Sequence, residues 1–324
     1  MTLTIFDSII IEFDLQQHSY QPRSLAELNF PLKDKTKVYW IHCDLNDQVA
    51  FKQMIEKIPL ANTVIDLCQR ANAIKPRLIN HDDTIMMRIP SLLNEETENV
   101  GELILQLTDR FCFTASFDPL SVLRGFNSAY QQGSQYAQTP CFILFLILDH
   151  IINEYANLLF GFELIADQLD LQVRSSQKNI YNDVMTVKKN MMKVRRNLVT
   201  IREILMRISG KKISVISEAC RLSLTNLLNQ SEMIFHETDS IRDMLNNLLA
   251  QIDNALMQKM NETMRVLTAF ASVFLPLSLI TGIYGMNFYW MPELTWRYGY
   301  YYALGLLVIS AVILLYIFKR KKWF

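Results

Sequence analysis

The chain has little glycine or proline, nine of each in 324 residues, and only five cysteines and five histidines. So few glycines exclude a collagen-like chain, while 50% hydrophobic residues disfavour a disordered one. Cys43, Cys68, Cys112, Cys141 and Cys220 are odd in number, widely scattered and never paired as C-x-x-C, so neither a disulfide framework nor a thiolate zinc site is expected. A reduced cytoplasmic compartment is the simplest setting for such a set. There is no glycine-rich phosphate loop, no G-x-S-x-G and no H-E-x-x-H, and the histidines are dispersed, so no enzyme site presents itself. The first twenty residues contain Asp7, Glu12 and Asp14 and lack a basic start before an apolar core, which argues against a cleaved signal peptide.

Charge is missing from Val266 to Pro292 and again from Tyr298 to Phe318. Each run is long enough for a helix of about 20 residues, the length that crosses a hydrocarbon core of about 30 Å. Tyr284, Trp290, Trp296, Tyr298 and Tyr300 cluster between them, as aromatic side chains do at a membrane interface. Lys319, Arg320, Lys321 and Lys322 follow the second run, whereas the short connection carries only Glu293 and Arg297. The positive-inside bias therefore predicts a cytoplasmic C-terminus, and two spans return the N-terminal part to the same side. The competing reading is a buried hairpin of two apolar helices in a soluble protein.

The formal net charge of zero conceals three unequal parts. Residues 1–170 hold 12 Lys/Arg against 22 Asp/Glu, a balance of −10; residues 171–212 hold 11 against 2, or +9; residues 213–324 hold 9 against 8, or +1. A uniformly basic nucleic-acid binder is not suggested. The +9 block, with Lys188, Lys189, Lys193, Arg195 and Arg196, has three open readings: it faces anionic lipid, pairs with the acidic N-terminal domain, or is a solvated face.

Residues 162–209 and 211–275 contain neither Gly nor Pro, which predicts two long helices turning at Gly210. A helix over 211–275 would reach roughly 100 Å. Along it, Ile241, Leu245, Leu248, Ile252, Leu256, Met260 and Met264 follow at steps of three or four, a packing seam suited to association with copies of itself. In the N-terminal 140 residues, Lys37–Cys43, Thr84–Ile89, Leu103–Leu107 and Phe111–Ala115 read as strands, the last two joined as a hairpin. Asp47–Ile58 and Thr63–Ala71 read as helices, so a mixed α and β domain is expected. Cys141–Leu148 is too short for a span and reads as the buried start of a core helix. His42, Cys43 and Asp44 could be a metal triad or simply a strand end, and Glu95, Glu96 and Glu98 a hard-cation site or a solvated loop.

From Ile280 to Leu294 the sequence is ITGIYGMNFYWMPEL. This closely resembles the CorA family of divalent-cation (magnesium/cobalt) transport proteins, whose hallmark is the tripeptide Gly285, Met286, Asn287. The resemblance extends through Asn261, Glu262, Met264, Val266, Leu267, Thr268, Phe274, Pro276, Gly282, Tyr284, Phe288, Pro292, Glu293, Trp296, Gly299 and Tyr300 to the basic tail. It implies an α+β cytoplasmic domain in α/β/α layers, long stalk helices and two C-terminal transmembrane helices, assembled as a funnel-shaped homopentameric channel in the cell membrane. The expected division is an α/β domain over 1–140, hairpin helices over 141–210 and a stalk helix over 211–263. A pore-lining span over 264–286, an external loop over 287–297, a second span over 298–318 and a basic tail over 319–324 follow.

The same resemblance implies influx of Mg²⁺, with Co²⁺ and Ni²⁺ also accepted. Zn²⁺ as the physiological ion is an alternative, and so is a membrane-anchored scaffold that transports nothing. Mg²⁺ dehydrates reluctantly, so an entry site should offer neutral oxygens to its water shell, and a ring of Asn287 amides behind Gly285 and Met286 would do so. Glu293 would concentrate cations outside the mouth. Asn261, Met264, Leu267, Leu275 and Ser278 take the positions of pore rings and hydrophobic gate, with ordinary helix packing as the competing reading. Divalent ions between cytoplasmic domains would hold the channel closed, with Glu95, Glu96 and Asn226 as the candidate sensor. At Asn226 and Asn229 the family often has Asp. Mg²⁺ would thus be both cargo and regulator; no organic cofactor and no nucleic acid is expected, and the partners are other copies of the chain, divalent cations and membrane lipid.

Overall fold

The computed structural model describes residues 8–17, 19–32, 34, 36–69, 78–81, 83–94, 97–123, 139–174, 180–210, 212–286, 289 and 291–320, with backbone alone at 80, 81, 293 and 294. The chain divides into two compact units, Met1–Leu248 and Leu249–Phe324.

The first unit is built on a seven-stranded sheet of β1 (Ile9–Asp14), β2 (Ser19–Arg23), β3 (Lys37–Asp44), β4 (Ile79–His81), β5 (Thr84–Leu92), β6 (Val100–Leu107) and β7 (Phe111–Ser116), in the order β2-β1-β3-β7-β6-β5-β4. All neighbours are antiparallel except β3 and β7, which run parallel with Ile41 opposite Phe113. Between those two strands the chain forms α1 (Gln48–Lys57) and α2 (Asn62–Gln69) and the β4–β6 meander. Asp47 starts α1 by accepting the N–H groups of Val49 and Ala50 at 3.0 Å, satisfying two donors that have no helical partner. The β6–β7 hairpin closes as expected, with the Thr108 hydroxyl accepting from the Arg110 and Phe111 N–H groups.

Successive side chains of a strand point to opposite faces, and here both faces are buried. One face carries Tyr39, Ile41, Cys43, Met86, Ile104, Phe111 and Phe113 and packs on Phe51 and Met54 of α1 and Val64 and Cys68 of α2. The other receives α3 (Cys141–Arg174): Phe142 sits edge-on to Phe13 at 5.2 Å, and the Tyr155 hydroxyl donates to the Pro90 carbonyl at 3.5 Å. The layers are therefore α/β/α. The apolar run Cys141–Leu148 is the buried start of α3, with Ile143, Leu144, Ile147 and Leu148 almost without exposure.

Three features depart from the sequence expectations. Strands β1, β2 and β4 extend the sheet, and β1 is held by its buried Glu12, which accepts from Arg23 of β2 and from Lys37 and Tyr39 of β3. Burial raises the Glu12 carboxyl, but those three bonds outweigh it and hold the group below its ordinary range. The single helix expected over 162–209 is two, since α3 ends at Arg174 and α4 spans Ile180–Ser209. Most consequentially, Cys141 and Cys220 form a disulfide across 79 residues, with Cα atoms 6.2 Å apart. Nothing in their spacing announces it: the pair forms because α3 and the next helix begin side by side, with the Thr139 and Ser217 hydroxyls 3.4 Å apart.

That next helix, α5, runs unbroken for 67 residues from Glu218 to Tyr284. Ser217 caps it, its hydroxyl accepting the Cys220 N–H and its carbonyl the Arg221 N–H. Gly210 lies in the connection as predicted, but the helix starts at Glu218, seven residues later than a turn confined to Gly210 would place it. The second unit holds the last part of α5, the short α6 (Pro292–Thr295) and the apolar α7 (Gly299–Arg320).

Candidate functional site

The C-terminal part of α5 carries five of the predicted site residues, Asn261, Met264, Leu267, Leu275 and Ser278, and Gly285 and Met286 follow directly after it. Asn261, Met264, Thr268, Ala271, Leu275, Ser278, Gly282 and Gly285 follow at alternating steps of three and four, the period that keeps a seam facing a partner helix. All eight are exposed, Leu275 by 70% and Met264 by 56%. Leu267 is also exposed and flanks the seam. The opposite side differs: Ala269 is fully buried, and Ser272, Val273, Pro276, Ile280 and Tyr284 are partly covered. The apolar stripe read from sequence splits in the same way. Leu245 and Leu248 are buried within the first unit, whereas Leu256, Met260 and Met264 are exposed on the chain's own surface.

Hydroxyls along this stretch of α5 are held against the helix. Thr268 donates to the Met264 carbonyl and Ser272 to that of Thr268, both at 2.8 Å, and Thr281 donates to Leu277 and Ser278. Pro276 has no N–H and so leaves the Ser272 carbonyl without its helical donor. Gly285 closes the helix by donating its N–H to Thr281 at 2.9 Å, and the Met286 N–H reaches Ile283 at 3.2 Å. A Cβ at 285 would approach the Thr281 carbonyl to 3.1 Å, which suits glycine there. Asn287 lies outside the described residues, and Glu293 is described by backbone only, within α6.

Of the predicted sensor residues, Glu95 and Glu96 lie outside the described residues, while Asn226 and Asn229 are exposed on α5. Among the described residues no group of three His, Cys, Asp or Glu side chains is placed to hold a metal ion. His42, Cys43 and Asp44 do not converge. His42 is buried beside Thr114, its Nδ1 3.1 Å from the hydroxyl, while Cys43 points to the opposite face into the α1–α2 core. Burial lowers the His42 imidazole to about 4 and raises the Cys43 thiol to about 12.

The basic block finds partners that its composition did not reveal. On α4, Arg195 reaches Asp239 of α5 at 3.2 Å and Arg202 Nε lies 3.5 Å from Glu232, near enough for an ion pair but without hydrogen-bond geometry. Phe235 of α5 lies between them, its ring centre 4.7 Å from the Arg195 guanidinium carbon and 5.4 Å from that of Arg202. Asp239 also takes Arg242 at 3.1 Å. Lys193 turns to the acidic domain, 3.8 Å from Glu98. The spacing of seven between Arg195 and Arg202, matched by Glu232, Phe235 and Asp239, is the signal that could have identified this contact.

Residues 35–320 match the family described as CorA-like Mg²⁺ transporter protein. The cobalt/magnesium transport protein CorA of Thermotoga maritima is 30% identical over 198 residues, which span 60% of this chain and 56% of that relative. That of Methanocaldococcus jannaschii is 22% identical over 304 residues, 92% of this chain and 94% of the relative. The complete structure of the CorA magnesium transporter from the same organism superposes with a TM-score of 0.83 over 98% of this chain and 99% of that one, at 19% identity, a likeness of fold.

Proposed function

The chain belongs to the CorA-like Mg²⁺ transporter family, and from that premise we propose that it is a channel admitting Mg²⁺, and Co²⁺ and Ni²⁺ less selectively, along a pore lined by the C-terminal part of α5. The observation that carries the reading is the uncovered 3–4 seam from Asn261 to Gly285, polar or small at most positions and apolar at Met264 and Leu275. In a ring of five copies, each seam residue becomes a ring around one axis. Met264 and Leu275, flanked by Leu267, form the constriction, which excludes ions by dewetting when narrow; Asn261 and Ser278 form polar rings on either side.

At the outer end, Gly285, Met286 and Asn287 form the filter. Five Asn287 amide oxygens accept hydrogen bonds from the water shell of Mg²⁺ and hold the ion without stripping it. Glu293 raises the local cation concentration. Helix α5 from about residue 264 and α7 are the two spans, with the first unit and the basic tail on the cytoplasmic side. Glu95, Glu96 and Asn226 contribute to a divalent-ion site between neighbouring copies that favours the closed state, tested by whether Mg²⁺ protects the first unit from protease and Glu95→Ala/Glu96→Ala abolishes that protection.

The filter is tested with purified protein in liposomes loaded with a Mg²⁺-sensitive dye. Asn287→Ala is expected to lower initial Mg²⁺ uptake at least tenfold, and unchanged uptake would remove Asn287 from the filter.

A further inference from the structure

Cys141 and Cys220 sit where the α/β/α unit meets the first turn of α5. Cys141 is wholly buried, while Cys220 retains 7% exposure. Cys220 lies in the first helical turn, where N–H groups without helical partners favour a thiolate; its own N–H is taken by Ser217, and neighbouring Arg221 pairs with Glu218. The other three cysteines contrast with this pair. Cys43, Cys68 and Cys112 are buried and unbonded, and burial raises the thiols of Cys43 and Cys68 to about 12.

Disulfides on the cytoplasmic side of a membrane are seldom permanent, because the surrounding thiol pool reduces them. A disulfide there, with Cys220 the less deeply buried of its two residues, has the character of an exchange site. We propose that Cys141 and Cys220 form a thiol–disulfide exchange site that ties the base of α5 to the start of α3, so that small disulfides and thiols in solution set how firmly α5 is anchored. The proposal relies on the functional reading above only for placing the first unit in the cytoplasm and for naming α5 the pore helix.

The chemistry needs no further reactant. In the oxidising direction, the Cys220 thiolate attacks a small disulfide RSSR, forming the mixed disulfide Cys220–S–S–R and releasing RS⁻. The Cys141 thiol then attacks the Cys220 sulfur and expels the second RS⁻, which takes the Cys141 proton and leaves as RSH. Two protein thiols have been oxidised by two electrons, and RSSR has been reduced to two thiols. Reduction is the reverse sequence, beginning with a small thiolate at Cys220.

The test uses the full chain in detergent, equilibrated with oxidised or reduced glutathione, alkylated and mapped by mass spectrometry, with hydrogen exchange followed in parallel. Oxidised glutathione is expected to yield the linked 141–220 peptide, and reduced glutathione to leave both cysteines alkylated. Amides of residues 218–224 are expected to exchange at least tenfold faster in the reduced protein, and Cys141→Ser/Cys220→Ser to match the reduced form in either buffer. Alkylation of both cysteines after oxidised glutathione would overturn the proposal, as would a bond that reduced glutathione leaves intact or equal exchange rates in the two wild-type states. Comparing the wild type with itself requires no variant to fold. Absence of Mg²⁺ uptake in both states would count against the channel reading while leaving the exchange result to stand.

Discussion

Replacing Phe235 with leucine should loosen α4 from α5 by about 1–2 kcal/mol. The side chain is half-buried between two guanidinium groups at 4.7 and 5.4 Å, inside the range of about 6 Å at which a cation is attracted to an aromatic face. Each contact contributes about 0.5–1 kcal/mol at a partly exposed site, and leucine keeps most of the apolar bulk while losing both. The flanking Arg195–Asp239 pair is about one-third exposed on each side, so its own share is held below about 1 kcal/mol by solvent screening. Local opening is read by hydrogen exchange of the α4 amides between Met191 and Leu205, where 1–2 kcal/mol corresponds to roughly 5–30-fold faster exchange. The paired cycle Arg195→Gln with Phe235→Leu should show a coupling of about 0.5–1 kcal/mol that shrinks at high salt. Lys189→Gln and Arg207→Gln, on the outer side of α4, should change exchange little. Additive effects of Arg195→Gln and Phe235→Leu, or equally faster exchange in the outer variants, would refute the assignment of this face.

Further outcomes follow from other positions. His42 is held near 4 by burial, against about 6.5 in the unfolded chain, so between these values the unfolded state binds a proton that the folded state does not. Stability should therefore fall as pH is lowered from about 6.5 to about 4, by up to about 3 kcal/mol, and this contribution should level off below; in pH-dependent denaturation the difference between wild type and His42→Gln isolates it. Leu245→Ala removes a side chain with no exposure and should cost about 2–5 kcal/mol in denaturant unfolding, whereas Leu256→Ala, exposed within its own chain, should affect the stability of the proposed pentamer in native mass spectrometry more than unfolding of the first unit. Leu275→Ser should weaken the proposed constriction and raise resting Mg²⁺ uptake several-fold in dye-loaded liposomes; lower or unchanged uptake would take Leu275 out of the proposed gate.

Much of the fold could be read directly from residue order. Strands β3, β5, β6 and β7 are runs of β-branched and aromatic residues, and α5 is visible because no Gly or Pro interrupts residues 211–275. Other elements left weaker traces. Strand β2 (SYQPR) is a polar edge strand containing a proline, and β4 has three residues, too few for a pattern. The division between α3 and α4 is made without either helix breaker. Charge counting located the basic block but not its partners, because a count does not say which side of α4 is buried; Arg195 and Arg202 fall on the buried side, seven residues apart. The Cys141–Cys220 bond was invisible because it depends on two helix starts meeting across 79 residues. At the candidate site, Asn261, Met264, Leu267, Leu275 and Ser278 came from the family resemblance; a single helix carries all five, and its period places four of them on one seam with Leu267 beside it.

The central claim, an ion path along α5, is tested most directly by Mg²⁺ entry into liposomes holding only the purified protein, with a potential imposed across the membrane. The account predicts dye-reported uptake that rises steeply as the interior is made more negative and persists in excess Na⁺ or K⁺. Uptake no greater than in protein-free liposomes at every potential would contradict it.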